Sequence, residues 1–313
     1  MNADSAPVRI AVTSRSFSRH KVLRQELAAI YSNVTFNDAG SSLAGDALVA
    51  FLSGHDRAIV ALEKIDEAVL VRLPQLRVIS KYGVGLDNID VEALRRHRRS
   101  LGWKGGVNRR SVAELALSFM IALLHNVPAA TSAVRGGAWQ QIMGRQLTGK
   151  TVGIVGCGHV GKDLVGLLKP FGVRILAYDI VRYDDFYRAH EVEAVDLEPL
   201  LAASDVVTLH VPCDESSRNI LNADRLAKMK PGAVLVNTAR GGLVDEVALG
   251  ARLSSGHLAG AALDVFETEP PGQHALLAMH NVLATPHIGG SAEEAILAMG
   301  RAAILGLEEN SVP

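Results

Sequence analysis

The feature that most constrains the fold of this chain is a glycine pattern in its middle, Gly156-Cys-Gly158-His-Val-Gly161. An apolar run that begins at residue 151 leads directly into the pattern, and a helix-like segment, residues 162–169, follows it. In that context the first glycine permits a tight turn, the second lets the backbone approach a pyrophosphate, and the third lets helix and strand pack closely. The sequence therefore predicts a dinucleotide-binding α/β domain.

Strand-like and helix-like segments alternate through the whole chain. In the C-terminal part the predicted strands are residues 151–156, 174–179, 205–211, 233–237, 259–264 and 282–285, and in the N-terminal part 9–13, 47–52 and 76–80. Six strands with intervening helices make a complete dinucleotide-binding fold. The N-terminal alternation predicts a second parallel α/β unit. A length of 313 residues suits two such domains, and two domains imply a cleft.

Three segments outside the strands organise the predicted domains. Ser111-Val-Ala-Glu114 matches a capping box before the apolar run 115–124, so a bridging helix is expected to begin there. The looser stretch 126–148, which contains Trp139, is either a crossover or an oligomerisation arm. Residues 292–307 are predicted to form a terminal helix that packs back on the first domain.

The predicted strand ends carry the candidate ligand-binding residues, because ligands bind beyond the carboxyl ends of the strands in a doubly wound sheet. The helix start at His159 and Val160 offers N–H groups to a pyrophosphate. Asp179 ends the next strand, where a carboxylate accepts hydrogen bonds from ribose hydroxyls. This favours NAD over NADP, unless Arg182 turns inward to meet an additional phosphate.

Arg240, Glu269 and His287 are the candidate catalytic residues. The planar guanidinium of Arg240 matches a substrate carboxylate in a bidentate way. His287 suits proton transfer near neutral pH, and Glu269 would favour the imidazolium and fix the ring tautomer. Taken one by one, Arg240 is also compatible with a surface ion pair and His287 with a core histidine.

The cofactor site predicted on these grounds draws on every strand end of the second domain. Its residues are Gly156, Gly158, His159, Val160, Gly161, Asp179, His210, Val211, Pro212, Thr238, Ala239, Asp264, His287 and Gly289. Asp264 either contacts a nicotinamide carboxamide or caps a turn. His210 is equally compatible with a packed residue at a strand end. The two cysteines, Cys157 and Cys213, have no metal-ligand spacing, so no metal site or disulfide is expected.

Several ordered motifs together resemble the D-isomer-specific 2-hydroxyacid dehydrogenases, particularly the branch that is similar to D-3-phosphoglycerate dehydrogenase. The motifs are Lys81-Tyr-Gly83-Val-Gly85-Leu-Asp-Asn-Ile-Asp90, Ser111-Val-Ala-Glu114-Leu-Ala, the Gly156 pattern, Asn237-Thr-Ala-Arg240-Gly-Gly, Leu263-Asp-Val-Phe-Glu-Thr-Glu269-Pro and Pro286-His287-Ile-Gly-Gly. The resemblance spans nearly the whole chain. It implies a Rossmann domain, residues 108–286, inserted in a smaller flavodoxin-like α/β substrate domain, residues 1–107 plus 287–313.

The resemblance also implies roles for particular residues. It assigns Arg240, Glu269 and His287 to catalysis and the amides of Val84 and Gly85 to the substrate carboxylate. It further implies a homodimer built through the bridging helix and arm, residues 111–148.

The chain departs from the family pattern before the bridging helix. The residues at these positions are Trp103, Lys104, Arg109 and Arg110. Their side chains either line the side of the fold that binds the ligand or form part of the solvated surface. In the first domain, Ser53 and Gly54 follow a predicted strand and are expected to meet the substrate tail. Lys81 stands where a cation would meet a phosphate or second carboxylate.

Composition limits the remaining classes of function. A net charge of −1 disfavours nucleic acid and anionic membranes as partners. Residues 1–7 lack a signal-peptide run, and no apolar stretch is long enough to span a bilayer, so a cytoplasmic location is expected.

The leading hypothesis is an NAD-dependent enzyme that interconverts a small D-2-hydroxy acid, such as 3-phosphoglycerate, and its 2-keto acid. The alternatives are a glyoxylate, hydroxypyruvate or phosphonate-type acid reductase, a formate or phosphite oxidoreductase, and an NAD-sensing scaffold similar to corepressors.

Overall fold

The computed structural model describes residues 7–313. Residues 1–6, on which the expected absence of a signal peptide largely depends, lie outside the described part. The chain divides into two compact units. The first runs up to Asn108 and includes Glu293–Pro313, and the second is Arg109–Ala292. The second boundary lies six residues beyond the expected one, because the loop that contains His287 is hydrogen-bonded to Asp264 of the second unit.

Five parallel strands form the sheet of the first unit in the order β2-β1-β3-β4-β5. The strands are β1 (Ile10–Val12), β2 (Val34–Phe36), β3 (Arg57–Val60), β4 (Val78–Lys81) and β5 (Ser100–Gly102). The helices are α1 (Arg15–Arg19), α2 (Lys21–Ile30), α3 (Gly45–Leu52), α4 (Glu67–Val71) and α5 (Val91–Arg96). This strand order is the flavodoxin-like one. Apolar clusters pack on both faces of the sheet, as its buried strands require.

The predicted strand at residues 47–52 is wrong, because this segment belongs to helix α3. Its alanines and leucines are strong helix formers, and Asp46 lies in the first turn. Leu48, Val49 and Leu52 are buried, a spacing that follows the helical period rather than the alternation of a strand. The strand that occupies this place in the sheet is β3, which begins five residues later.

Seven parallel strands form the sheet of the second unit in the order β12-β11-β10-β9-β6-β7-β8. The strands are β6 (Thr151–Val155), β7 (Arg174–Tyr178), β8 (Val192–Ala194), β9 (Val206–Leu209), β10 (Val234–Asn237), β11 (Gly260–Leu263) and β12 (Val282–Ala284). The α-helices are α6 (Arg109–Leu124), α7 (Val127–Arg135), α8 (His159–Leu168), α9 (Asp184–His190), α10 (Leu197–Ala203), α11 (Ala223–Lys228) and α12 (Glu246–Ser254), with 3-10 helices at Lys169–Phe171 and Ala275–Ala278. The order is that of the doubly wound dinucleotide fold with one added strand, which confirms the predicted fold class.

The bridging helix α6 begins two residues before the predicted capping box. Ser111 therefore lies inside the helix, and its hydroxyl donates to the Gly289 carbonyl at 2.6 Å instead of capping the helix start. The segment predicted to be loose contains α7, followed by an irregular stretch in which Trp139 and Met143 are each 91 % exposed. Among residues 7–313 no single helix is both long and apolar enough to cross a membrane; α6 and α7 satisfy those criteria only as a pair bent by 65°.

The C-terminal helix α13, Glu293–Gly306, belongs to the first unit. Ala303, Ile304 and Leu307 pack against β1 and α2 residues in one apolar cluster. The Ser80 hydroxyl also donates to the Ala303 carbonyl at 2.6 Å. The C-terminal segment thus completes a face of the first sheet, as the sequence predicts.

Candidate active site

The glycine turn after β6 is shaped as the sequence predicts. A Cβ atom on Gly156, whose φ is +96°, would lie 2.7 Å from the His210 backbone, and one on Gly161 would lie 2.3 Å from the Gly156 carbonyl oxygen. Both positions therefore exclude a side chain. A Cβ on Gly158 would meet no atom within 4 Å, so the backbone borders open space there. This is the surface that a pyrophosphate needs in order to approach the chain.

Helix α8 begins beside that open space. Its N-cap residue is Gly158, and no side chain caps its first turn, so the amides at His159 and Val160 belong to an uncapped helix start. Such a start combines free N–H donors with the positive end of the helix dipole. The turn and the helix together have the donor set that a dinucleotide pyrophosphate requires.

Asp179 lies at the end of β7, next to the glycine turn. Its carboxylate accepts hydrogen bonds from the amides of Cys157 at 2.6 Å and Val181 at 2.9 Å. These bonds fix the carboxylate at the place where a ribose would lie and leave further acceptor positions. Arg182 pairs instead with Asp184 at 3.0 Å and is largely exposed. The inward arginine that would favour NADP is therefore absent from this conformation.

The ends of β9 and β10 each present a buried polar atom that lacks a partner among the described residues. These atoms are His210 Nδ1 and Thr238 Oγ1. The other ring nitrogen of His210 lies 3.0 Å from the Thr208 hydroxyl, and burial lowers the pKa of His210 to about 3. His210 is therefore neutral near pH 7. Buried polar atoms usually have a partner, so these two mark a place where a ligand fits.

Arg240 lies in the turn that follows β10. Asn237 holds this turn at both ends, because its side-chain oxygen accepts from the Ala239 amide at 3.1 Å and its nitrogen donates to the Arg240 carbonyl at 2.8 Å. The Arg240 guanidinium donates to the Ala239 carbonyl at 2.7 Å. Sequence reasoning missed the role of Asn237, although an asparagine at a strand end is a typical turn former.

Asp264, at the end of β11, is 1 % exposed and organises the loop that contains His287. Its carboxylate accepts hydrogen bonds from the Thr285 hydroxyl at 2.6 Å and from the amides of Ile288 and Gly289, each at 2.7 Å. These contacts match the turn-capping alternative. They hold His287 at φ +54°, a left-handed conformation that is uncommon for a residue with a side chain.

His287 and Glu269 form a hydrogen-bonded pair. The distance between His287 Nδ1 and Glu269 Oε2 is 2.8 Å, and the other Glu269 oxygen accepts from the Phe266 amide at 3.2 Å. The carboxylate therefore holds the ring through Nδ1. Because Nδ1 is occupied, Nε2 is the ring atom that remains for proton exchange with a ligand.

A cavity of about 380 Å³ lies beside this pair. Most of its walls are apolar: Phe266, Pro270, Pro271, Leu277, Ala284 and Pro286 line it together with Asp264, Glu269, Thr285 and His287. Half of the His287 side chain is exposed. The acid–base pair thus has an open side and an apolar surround, as a site that carries out proton transfer requires.

In the first unit, the predicted carboxylate-binding loop follows β4. Gly83 has φ +127°, a backbone conformation that favours glycine. The indole N–H of Trp103 donates to the Val84 carbonyl at 3.0 Å. Since a carbonyl and the next amide point in opposite directions across one planar peptide, this bond also sets the direction of the Gly85 N–H. Trp103, whose role the sequence left open, therefore orients this loop.

Lys81 and Glu63 connect the loops at this edge of the first sheet. Lys81 is 5 % exposed, and its ammonium donates to the Ala61 carbonyl and, at 2.6 Å, to Asn88. Glu63, which sequence reasoning missed, accepts from the Thr13 hydroxyl and the Ala61 amide, each at 2.8 Å. The signal that could have identified it was its position in the loop that follows β3. Both charged groups therefore form hydrogen bonds with nearby groups of the first unit's own loops and strands.

Ser53 and Gly54 lie at the opposite edge of the first sheet, before β3 rather than after a strand. A Cβ on Gly54 would come closest to the Arg9 side chain, which precedes β1. The assignment of residues 47–52 to α3 removes the reason for expecting these two residues at the substrate. We do not include them in the candidate site.

The basic residues near the start of α6 have different environments. Arg110 donates to Asp163 of α8 at 3.1 Å, and Arg109 lies 4.0 Å from the same carboxylate. These pairs tie α6 to the helix that follows the glycine turn. Lys104 is exposed.

Comparison with known proteins identifies the second unit. Residues 117–289 match the model of the NAD-binding domain of D-isomer-specific 2-hydroxyacid dehydrogenases. The chain is 40 % identical over 237 residues to a hydroxypyruvate reductase of Thermotoga maritima, covering 74 % of this chain and 76 % of that protein. It is 41 % identical over 235 residues to an (S)-sulfolactate dehydrogenase of Chromohalobacter salexigens, with the same coverage of 74 % and 76 %.

Solved structures have the same fold. A glyoxylate reductase from Paecilomyes thermophila superposes with a TM-score of 0.85 at 26 % identity, covering 96 % of this chain and 95 % of that one. The chain spans about half the length of the D-3-phosphoglycerate dehydrogenases that it matches. One of them, from Methanocaldococcus jannaschii, is 37 % identical over 282 residues, which cover 89 % of this chain and 54 % of that protein. With the glycine turn, Asp179 and the Glu269–His287 pair, these matches show that the chain belongs to the D-isomer-specific 2-hydroxyacid dehydrogenase family and contains its NAD-binding domain.

Proposed function

We propose that this protein interconverts a small D-2-hydroxy acid and its 2-keto acid, with NAD as the hydride carrier. The observation that carries the proposal is the Glu269–His287 pair, 2.8 Å apart, at the end of the sheet that also carries Arg240. Hydride transfer to a keto carbon requires a proton for the carbonyl oxygen and a cation for the carboxylate. The chain supplies the first from His287 and the second from Arg240.

The proposed proton path uses one ring atom. In the direction of reduction, bound NADH supplies the hydride that reaches C2 of the keto acid. His287, protonated at Nε2, donates its proton to the carbonyl oxygen, and Glu269 stabilises the imidazolium through Nδ1. In the direction of oxidation, Nε2 of the neutral ring accepts the hydroxyl proton. Arg240 is the proposed carboxylate ligand of the second unit. For the first unit, the amides of Val84 and Gly85 stay the carboxylate-binding groups that the family resemblance implies.

The proposed cofactor contacts follow the second sheet along its carboxyl edge. The turn at Gly156, Gly158 and Gly161 and the amides of His159 and Val160 would hold the pyrophosphate, and Asp179 the adenosine ribose. Further along the edge, the proposed contacts are His210, Val211, Pro212, Thr238, Ala239, His287 and Gly289, and Asp264 holds the loop that contains the last two. Open space at Gly158 and the unpartnered polar atoms of His210 and Thr238 support this assignment.

Among substrates, we favour hydroxypyruvate or glyoxylate over phosphohydroxypyruvate. The cation that the sequence nominated for a phosphate, Lys81, is buried and bonded to Ala61 and Asn88. The resemblance to a hydroxypyruvate reductase supports the same choice. A second candidate is a phosphonate- or sulfonate-bearing keto acid, which the match to a sulfolactate dehydrogenase favours.

A substrate panel tests the proposal. NADH oxidation by the purified protein is measured with hydroxypyruvate, glyoxylate, phosphohydroxypyruvate, phosphonopyruvate and sulfopyruvate, each repeated with NADPH. We expect turnover of a 2-keto acid with NADH, greatest for an unphosphorylated acid. No turnover by a protein that binds NADH would contradict the enzymatic proposal and favour an NAD sensor. Activity with formate or phosphite alone would contradict the hydroxy-acid assignment.

We also propose that the protein is a homodimer formed through the arm that follows α6. Five apolar side chains of this segment are at least 40 % exposed: Val127, Val134, Trp139, Ile142 and Met143. Exposed apolar groups concentrated in one segment are typical of a surface that is covered in an assembly. Sedimentation of the wild type and of the double variant Trp139→Ser, Met143→Ser is expected to show a dimer and a monomer respectively. A monomeric wild type would contradict this proposal.

We place the enzyme in the cytoplasm. Cys157 and Cys213 are both free thiols, and burial raises the pKa of Cys157 to about 11. Unpaired cysteines suit a reducing compartment.

A further inference from the structure

A second histidine–carboxylate pair of the second unit lies at the ends of the loop segment that carries Glu269. Glu246 is the first residue of α12, and its Oε2 lies 3.0 Å from Nε2 of His274. The other oxygen of the same carboxylate accepts from the Glu267 amide at 2.8 Å. Because Glu269 lies between residues 267 and 274, one carboxylate binds the loop on both sides of it.

Both ring nitrogens of His274 have a defined partner. Nδ1 accepts from the Leu276 amide at 3.3 Å, so the ring proton is on Nε2 and is donated to Glu246. The ring also packs edge-on against Phe266, with the two centroids 5.7 Å apart. The side chains of Glu246 and His274 are only 12 % and 27 % exposed. Little water therefore competes for the hydrogen bond between them.

The backbone that Glu246 holds is also the backbone that holds Glu269. The Phe266 amide donates to Glu269 Oε1 at 3.2 Å, and the next amide, that of Glu267, donates to Glu246. Two consecutive amides thus connect the two carboxylates. A shift of this segment would move Glu269 relative to His287, whose Nδ1 lies 2.8 Å from the other Glu269 oxygen.

The same segment packs against the turn that carries Arg240. A Cβ on Gly241 would overlap the Phe266 carbonyl group, so the two backbones are in direct contact. Glu246 follows this turn at the start of α12. It therefore joins the loop of the proposed acid–base pair to the segment of the proposed substrate cation.

Proton transfer is sensitive to this kind of support, because a displacement of about 1 Å can lower a rate about a hundredfold. We propose that Glu246 is a positioning residue. With His274 as its partner, it holds the loop so that Glu269 meets Nδ1 of His287. The inference rests on the proposed function and adds to it a residue that acts only through Glu269.

Nitrogen-15 NMR of the full chain with labelled histidine tests the geometry without turnover. The spectra are recorded at about pH 9, above the range in which histidines usually titrate, and the signals of His287 are assigned from their absence in His287→Ala. In the wild type the proton of this ring is expected on Nδ1, which faces Glu269. Glu246→Ala is expected to shift the ring toward the mixture of tautomers that Glu269→Ala shows.

Turnover of hydroxypyruvate is measured on the same preparations. Glu246→Ala is expected to lower kcat by about tenfold, with KM and the Kd for NADH changed by less than about twofold, because the variant displaces only the acid–base pair. His274→Gln keeps an N–H donor for Glu246 and is expected to retain most of the turnover. His274→Ala, which removes the same bond from its other side, is expected to lose it and provides the ring measurement if Glu246→Ala does not fold.

Glu198→Ala is the matched control. Glu198 also lies in the first turn of a helix of the second unit, where it pairs with Lys228 at 2.8 Å. Its variant is expected to equal the wild type in both measurements. An unchanged His287 tautomer in Glu246→Ala, with or without a loss of kcat, would overturn the inference. A wild type with the expected tautomer but no turnover would instead contradict the proposed function.

Discussion

The two sheets of this chain share an all-parallel architecture, but their carboxyl edges present different chemistry. At the edge of the second sheet, side chains act directly: Glu269 holds His287, and Asp264 holds the loop on which His287 lies. At the edge of the first sheet, the charged side chains of Glu63 and Lys81 bond to local backbone groups. The groups proposed to bind a ligand at that edge are the backbone amides of Val84 and Gly85.

This difference teaches that one fold supports two kinds of ligand site. Side chains at strand ends can move protons and carry full charges, whereas a loop of fixed amides can only bind and orient an anion. We therefore expect substitutions in the second unit to change turnover. Substitutions in the first unit are expected to change substrate affinity.

The largest effect is expected for His287→Ala. Removal of the proposed proton donor should lower kcat by about a thousandfold, within the range of general acid–base catalysis, while the Kd for NADH changes little. Steady-state kinetics and fluorescence titration of NADH measure the two quantities. His280→Ala, at an exposed position nearby in the sequence, serves as the matched control and should behave as the wild type. A His287→Ala enzyme with near-normal kcat would remove the acid–base role.

A smaller loss of turnover is expected for Asp264→Asn. The carboxylate accepts three hydrogen bonds, and a neutral amide cannot accept all of them because its nitrogen is a donor. The His287 loop should lose its left-handed conformation, with kcat lower by about ten- to a hundredfold and stability lower by about 2–4 kcal/mol. Chemical denaturation and kinetics on the same preparation test this. Unchanged kcat in a destabilised protein would show that the loop does not need this carboxylate.

For the first unit, Trp103→Phe is expected to raise KM for the keto acid by about tenfold, with little change in kcat. The substitution keeps the aromatic ring but removes the N–H that holds the Val84 carbonyl. If the loop only binds the substrate carboxylate, the loss of this hydrogen bond should raise KM and leave kcat unchanged. A fall in kcat at unchanged KM would contradict the contrast between the two edges.

The smallest effect concerns stability rather than turnover, and it comes from His210. Burial lowers the pKa of His210 to about 3, whereas an unfolded histidine titrates near 6.5. The unfolded state therefore binds the additional proton as pH falls below about 6.5, so the unfolding free energy of the wild type falls, by up to about 2 kcal/mol at pH 5. His210→Gln should lose this dependence. Equal pH profiles of Tm for the two proteins would show that His210 is not held neutral.

Much of the second unit could be predicted from its sequence because the determinants are local. Short apolar runs bounded by Gly, Pro and Asp define the strands, and a glycine turn allows little freedom in what surrounds it. Arg240, Glu269 and His287 were predicted from their places after those strands. The contacts of Asp264 required the structure, because its partners lie more than twenty residues along the chain.

The first unit was harder to predict because its signals are ambiguous. The run Ala47–Leu52 is apolar throughout, and periodicity alone does not separate a buried strand from a buried helix. The error carried over to Ser53 and Gly54, which were assigned to the wrong edge of the sheet. The contact of Trp103 with Val84 depends on the pairing of β4 and β5, which single-residue reasoning does not reveal.

The central claim is that this chain transfers a hydride from NADH to C2 of a 2-keto acid and forms the D-hydroxy acid. Turnover of hydroxypyruvate with NADH labelled with deuterium at C4, in the 4R and the 4S form separately, tests it most directly. We expect one of the two forms to give a D-2-hydroxy acid with one deuterium at C2. A product without deuterium from either form, or a product of the opposite configuration, would contradict the account.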